Sequence, residues 1–147
     1  MKAKFLSYNA KKVSYAVNEN VTVSGIKSEQ VHFSISGVSI GYDKSQKRVG
    51  MTLKTQATTK INHEDKKYRS LEAEIQFNFQ VIPVSDETIS EKSLDKIIKS
   101  YVSDTSLLLL KDIIRKYTSI DYAAPINTDS FEYPNAFNFP ETFGLLK

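Results

Sequence analysis

Leu71-Glu72-Ala73-Glu74-Ile75-Gln76-Phe77-Asn78-Phe79-Gln80-Val81 alternates apolar and polar residues without a break. Successive side chains of a β-strand point to opposite faces, so Leu71, Ala73, Ile75, Phe77, Phe79 and Val81 share a buried face and the residues between them a wet one. Working back, Val49, Met51, Leu53, Ala57 and Ile61 fall on one parity as well, and the polar run Asn62-His63-Glu64-Asp65-Lys66-Lys67 reads as the hairpin loop between two such strands. On the wet face, Lys54 and Lys60 are placed to meet Glu72 and Glu74 across the hairpin. Val31, Phe33 and Ile35 alternate before Gly37, and Val38, Ile40 and Tyr42 continue in the opposite phase after it. A phase flip at glycine predicts a β-bulge there. Asp43-Lys44-Ser45-Gln46 makes the next turn. The first strand changes parity too: Leu6, Tyr8 and Ala10 share one, Val13, Tyr15 and Val17 the other. Residues 18–28 are a short strand or a long connection. The pattern therefore predicts four strands, at about 3–17, 29–43, 48–61 and 68–82, the later three joined by hairpins.

Forward of the deciding strand the period changes. Thr88-Ile89-Ser90-Glu91 fits a capping box, a hydroxyl with Glu three residues on. Leu94, Ile97, Ile98, Tyr101 and Val102 then form one helical stripe. Ser103 or Asp104 can cap a second helix, whose run Leu107-Leu108-Leu109-Leu110 and Ile113-Ile114 is apolar too far round for a single contact. Two helices are expected, at about 89–102 and 104–118. The tail, 122–147, with Pro125, Pro134 and Pro140 among Phe131, Tyr133, Phe137, Phe139 and Phe143, is expected to be extended and pinned by its aromatics. The whole chain, 1–147, reads as one α+β domain.

Composition narrows the chemistry. The chain has no Cys and two His, which excludes disulfide scaffolds, thiolate metal sites and cysteine nucleophiles. His32 sits between Val31 and Phe33 on a wet strand face and His63 in a charged loop, with nothing to position a nucleophile beside either. No phosphate-binding glycine loop occurs. Neither a signal peptide nor a membrane span is legible, so a cytoplasmic protein without enzyme activity, cofactor or metal is expected. The formal net charge of +3 splits into +7 for residues 1–67 and −4 for residues 68–147. Such a split suits a nucleic-acid face, or complementary faces that meet within the fold or an oligomer. The cations are thinly spread among apolar residues, which speaks against nucleic acid.

Four strands of about 12 residues make a sheet roughly 40 Å by 19 Å. Two helices of about 13 and 15 residues, each ~20 Å long and ~10 Å wide, cover about half of its apolar face. The rest needs a cover: the aromatic tail, another subunit, or a bound apolar ligand or chain.

This order of elements resembles the SecB-like export chaperones. The resemblance runs from about Phe5 to Phe131, and its best-matching stretches are Glu74-Ile75-Gln76-Phe77-Asn78-Phe79, Leu94 to Tyr101, Leu109 to Tyr117, and Ala124-Pro125-Ile126-Asn127 ending at Phe131. It implies a Greek-key four-stranded antiparallel sheet with two helices packed on one face, and assembly into dimers or tetramers. It also implies ATP-independent binding of unfolded or extended polypeptide in an apolar groove between the crossover joining the first two strands and the long helix. On this chain the groove would be lined by Val21, Val23, Ile26, Leu107, Leu108 and Tyr117, and Ile97, Tyr101, Leu109 and Ile113 would form the oligomer interface. SecB proteins are acidic and offer carboxylates to the SecA motor, whereas this chain is slightly basic, which argues against SecA coupling. A dedicated polypeptide client fits better than general export. The alternative is an accessory protein of the same fold, of phage or mobile-element type, that binds one folded partner.

Overall fold

The computed structural model describes residues 1–84, 88–119 and 125–133. Four strands, β1 (Lys2–Val17), β2 (Glu29–Asp43), β3 (Arg48–Ile61) and β4 (Lys67–Ile82), form one antiparallel sheet in the order β1-β4-β3-β2. Neighbours in sequence pair as hairpins except β1 and β2, which occupy opposite edges. Residues 18–28 make the crossover between them, with a 3-10 turn at Val23–Gly25 and no strand. The topology is thus the expected Greek-key arrangement.

Period two sets the inner face. Val49, Met51, Leu53 and Ala57 of β3 and Leu71, Ala73, Ile75, Phe77, Phe79 and Val81 of β4 are all buried in one core cluster. The edge strands reach that face through bulges. The register of β2 against β3 shifts between Ile35 and Gly37, as the phase flip predicts. The register of β1 against β4 shifts between Phe5 and Ser7 and again between Ala10 and Lys12. Each extra residue inverts parity once. Phe5, Tyr8, Ala10, Val13 and Tyr15 consequently lie opposite Phe79, Phe77, Ile75, Ala73 and Leu71, all on the inner face, whereas Leu6 is spent in the bulge.

One expected cross-strand pairing changes for the same reason. Lys54 does lie opposite Glu74. A register shift between Thr58 and Lys60 sets Lys60 against Lys67, and its ammonium turns to Asp65 in the loop. Glu72 pairs instead with Lys12 of β1, at 3.4 Å.

The helical region is one long helix, which corrects the expectation of two. Helix α1 (Glu91–Ile97) runs through a π-helical turn (Ile98–Val102) directly into α2 (Ser103–Thr118). The N-cap is Ser90, whose hydroxyl accepts the Ser93 N–H at 3.1 Å; the box at Thr88 is not used. Ser103 does not cap. Its hydroxyl donates back to the Lys99 carbonyl at 2.8 Å, within a continuing helix, a bond that removes any need for a helix end. The π turn has a packing reason. Leu94, Ile98, Val102, Ser106, Leu110, Ile114 and Thr118, spaced four apart, are all buried. In a straight α-helix such a stripe drifts by about 40° per step, and a turn holding more residues rotates it back toward the sheet. Segments of 7, 5 and 16 residues give a rod about 42 Å long, which runs the length of the sheet but is only ~10 Å wide.

Residues 125–133 lie along the helix in the reverse direction. The Ile126 N–H donates to the Thr118 hydroxyl at 2.9 Å, and the Tyr133 hydroxyl donates to the Ser103 carbonyl at 2.9 Å. Between these points Phe131 stacks on Phe33 of β2, centroids 4.2 Å apart and rings 7° from parallel. Ile126, Thr128 and Phe131 are buried, so this part of the tail covers the sheet on the β2 side. The remainder of the expected tail, 122–124 and 134–147, lies outside the described residues.

Ser106 is buried beneath the helix with no hydrogen-bond partner for its hydroxyl among the described residues. Removing a buried unsatisfied hydroxyl relieves its desolvation cost, so Ser106→Ala is expected to raise the unfolding free energy by about 1 kcal/mol in urea titration. A loss of similar size would show that the hydroxyl is bonded.

Candidate functional site

With the β2 side covered by the tail, the apolar surface left open is on the β1 side. Residues three, four and seven apart on a helix share a flank. The flank bearing Tyr101 is placed by contact: the Tyr101 ring meets Phe79 edge-on at 6.1 Å, and Phe79 meets Phe5 of β1 at 5.6 Å. Ile97 and Leu109 continue this stripe and are half-buried, and Leu108 stands beside it toward solvent. Across from them Tyr8 of β1 leans on Phe77 at 6.4 Å. Large apolar side chains are open to water here: Leu108 at 64%, Tyr8 at 45% and Tyr101 at 42%. The ledge between helix and β1 is bounded by the outer edge of a 16-residue strand, which pairs with no further strand among the described residues. An unpaired strand edge beside apolar side chains has the two features by which sheets take up an extended peptide: main-chain hydrogen bonds and side-chain sites.

Of the groove residues implied by the resemblance, Val21, Val23 and Ile26 sit in the crossover and Leu107, Leu108 and Tyr117 on the helix. Leu107 packs against the core, while Leu108 faces solvent. Tyr117 is exposed at the end of the helix, nine residues on and therefore about half a turn round from Leu108. Val21 and Ile26 are half-buried in the crossover and Val23 opens its 3-10 turn. The crossover is bonded to the β3–β4 loop. The Asn62 side chain donates to the Gly25 carbonyl at 2.8 Å and accepts the N–H groups of Lys27 at 2.7 Å and Ser28 at 3.2 Å. Of the four interface residues, Ile97, Tyr101 and Leu109 come together on the ledge. Ile113 lies in the core, packed with the buried residues of the sheet.

The feature that sequence reasoning missed is a buried ion pair beneath the crossover. Arg69 continues the odd parity of β4 and so points its side chain to the inner face, where it is 1% exposed. The guanidinium forms a two-pronged pair with Glu29, through Nε at 2.8 Å and through Nη2, and also bonds Tyr15. Burial works against its charge, but the bonds to Glu29 and Tyr15 prevail and hold it protonated beyond the ordinary arginine range. Three strands are thereby tied at the crossover end: Tyr15 near the end of β1, Glu29 at the start of β2, and Arg69 of β4. The available signal was an arginine on the apolar parity of a strand.

The outer face of the sheet is polar. Its depression of about 290 Å³ is lined by Lys12 and Lys54 together with Glu72 and Glu74, charges that offset one another. His32 and His63 share a second depression with Lys60, Glu64 and Asp65. Among the described residues no group of three or more His, Asp or Glu is placed to hold a metal, and no helix is long and apolar enough to cross a membrane.

No family model and no curated protein sequence matches the chain. Among solved structures, a SecB-like chaperone of Mycobacterium tuberculosis, in complex with a ChAD peptide from the HigA1 antitoxin, matches with a TM-score of 0.63 at 10% identity, over 90% of this chain and 92% of that one. The fold is SecB-like. A protein of unknown function from Streptococcus agalactiae aligns with a TM-score of 0.39 at 13% identity, over 89% of this chain and 98% of that one. At 10% identity, what this chain shares with the mycobacterial chaperone is the backbone arrangement.

Removing one partner of a buried ion pair leaves the other charge unanswered. Glu29→Ala is therefore expected to cost about 3 kcal/mol of stability by chemical denaturation, and a loss below about 1 kcal/mol would show that Tyr15 and water suffice. Leu108→Ala, at an exposed position, is expected to stay within about 0.5 kcal/mol of the parent.

Proposed function

We infer that the protein is a non-enzymatic, chaperone-like module that binds unfolded or extended polypeptide without ATP, metal or cofactor. The observation that carries this reading is the ledge: Tyr8, Tyr101 and Leu108 exposed together beside the outer edge of β1. Apolar contacts there are non-directional and edge hydrogen bonds use only backbone, so the surface accepts many sequences. The SecB-like neighbour, whose structure holds an antitoxin peptide, supports polypeptide as the ligand class. A dedicated client is the finer form of the proposal, favoured by the mixed charge of the outer sheet face, which gives an acidic-patch-seeking export motor little to hold. Action in the cytoplasm belongs to the same reading. Self-association into dimers or tetramers is the competing use of the ledge, through Ile97, Tyr101 and Leu109.

Reduction-triggered aggregation of insulin, followed by turbidity without nucleotide, tests the reading. The chain in molar excess is expected to delay aggregation, and Leu108→Asp to shorten the delay at unchanged helical circular dichroism. Absence of any delay at about tenfold excess, with a monomeric mass in light scattering, overturns both binding and self-association. A stable dimer with no delay assigns the ledge to self-association alone.

A further inference from the structure

β1 carries Lys2, Lys4, Lys11 and Lys12 and neither Asp nor Glu, and all of these lysines are exposed. Ala3 and Phe5, which alternate with Lys2 and Lys4, pack against the core, so those two lysines stand on the outer face beside the strand edge. The carboxylates of β4 answer only the far half of the strand. Lys12 lies opposite Glu74 and reaches Glu72 at 3.4 Å, whereas Lys2 and Lys4 lie opposite Ile82 and Gln80. Among the described residues, Lys2, Lys4 and Lys11 have no carboxylate within ion-pair distance. On the helix, by contrast, Lys99 and Lys116 are each matched at 2.9 Å, by Asp95 and Asp112.

We propose that the partner taken by the β1 edge is an acidic, amphipathic segment: an extended stretch of another polypeptide in which apolar residues alternate with Asp or Glu. The proposal rests on the polypeptide-binding reading and names the ligand class within it. A strand added to a sheet edge alternates its side chains in step with that edge. Its residues beside Ala3 and Phe5 meet the apolar ledge, and those beside Lys2 and Lys4 meet ammonium groups that nothing else answers. Opposite charges facing each other across strands stabilise the pair, and like charges oppose it. Lysines along an edge ordinarily deter pairing. Here they repel basic strands and admit acidic ones, so that one device supplies both the attraction and the exclusion. A second copy of the chain does not satisfy this edge. Its β1 brings more lysines, and its other edge strand, β2, offers only Glu29 and Asp43. Glu29 is bonded to Arg69, and the Asp43 carboxylate accepts the Ser45 hydroxyl at 2.7 Å and the Ser45 and Gln46 N–H groups in its own turn. A nucleic acid matches the charge but neither the exposed Leu108 nor the hydrogen-bonding edge.

The test uses the full chain and fluorescent peptides of about nine residues. All carry the same apolar residues at odd positions, with Glu, Gln or Lys at the even ones. By fluorescence anisotropy in about 50 mM salt, the Glu peptide is expected to bind about tenfold more tightly than the Gln peptide, and the Lys peptide more weakly than either. In about 0.5 M salt the advantage of Glu over Gln is expected to shrink to about twofold or less, because exposed charges are screened. Lys2→Gln/Lys4→Gln/Lys11→Gln is expected to abolish that advantage and to bind the Gln peptide as the parent does, at unchanged circular dichroism. Equal affinity for the Glu and Gln peptides, or preference for the Lys peptide, overturns the acidic partner and leaves the polypeptide-binding reading standing. Absence of binding by all the peptides up to about 1 mM removes that reading as well, so the two failures are distinguishable. A Glu advantage that survives in the lysine variant overturns the assignment to β1. Tighter binding of a single-stranded oligothymidylate than of the Glu peptide assigns the cations to nucleic acid and overturns the proposal. A dimer in light scattering that excludes the Glu peptide assigns the edge to a second copy, with the same result.

Discussion

A helix is about 10 Å across and a four-stranded sheet nearly twice that, and the organisation of this molecule follows from the mismatch. One rod laid on the sheet protects two strands, and here those are β3 and β4, whose inner residues are all but excluded from water. The margins need separate solutions. On the β2 margin the chain supplies one itself: Ile126 to Tyr133 returns along the helix and seats Phe131 against Phe33. On the β1 margin the rings of Phe5, Phe79 and Tyr101 stack edge to face up the side of the helix and stop, leaving Tyr8 and Leu108 in solvent. The two margins are therefore unlike, one covered by the chain's own tail and one left with exposed apolar side chains among the described residues.

The crossover is the second constraint. Sending the chain from one sheet edge to the other demands a long irregular connection, and such backbone is costly unless its polar groups are answered. Asn62, in the left-handed conformation at φ 55°, answers three of them with one amide. Beneath, Arg69 and Glu29 bind strands that are not neighbours in the sheet. Replacing the pair with hydrophobic residues could pack as well, since buried ion pairs contribute little net stability.

How far this was legible from the chain depends on whether a residue had one physical option or two. Strand parity in β4 has one: Leu71 through Val81 can bury only one face. Gly37 likewise marks its bulge. The two bulges of β1 left only a blurred parity, because Leu6 continues the pattern of Tyr8 and Ala10 while sitting outside it. Ser103 had two options, cap or back-bond, and both satisfy its hydroxyl. The choice was made by burial of Val102 and Ser106 on either side of it, a tertiary effect invisible in local spacing. An apolar arc on a helix likewise reveals that two sides are covered, not which residue faces which cover, and Ile113 lies in the core. The ledge was readable as missing coverage, but not its position, since that depends on which margin the tail chose.

The bulges of β1 have one more consequence, for the strand edge that they interrupt. They divide the edge into three runs paired in regular register, Lys2–Phe5, Ser7–Ala10 and Lys12–Val17. A strand joining that edge finds three brief ladders, each out of phase with the next, in place of one continuous one. Such a strand can peel off a few hydrogen bonds at a time, with no step at which the whole ladder must open. The same interruptions deny fibrils a continuous template on which to grow.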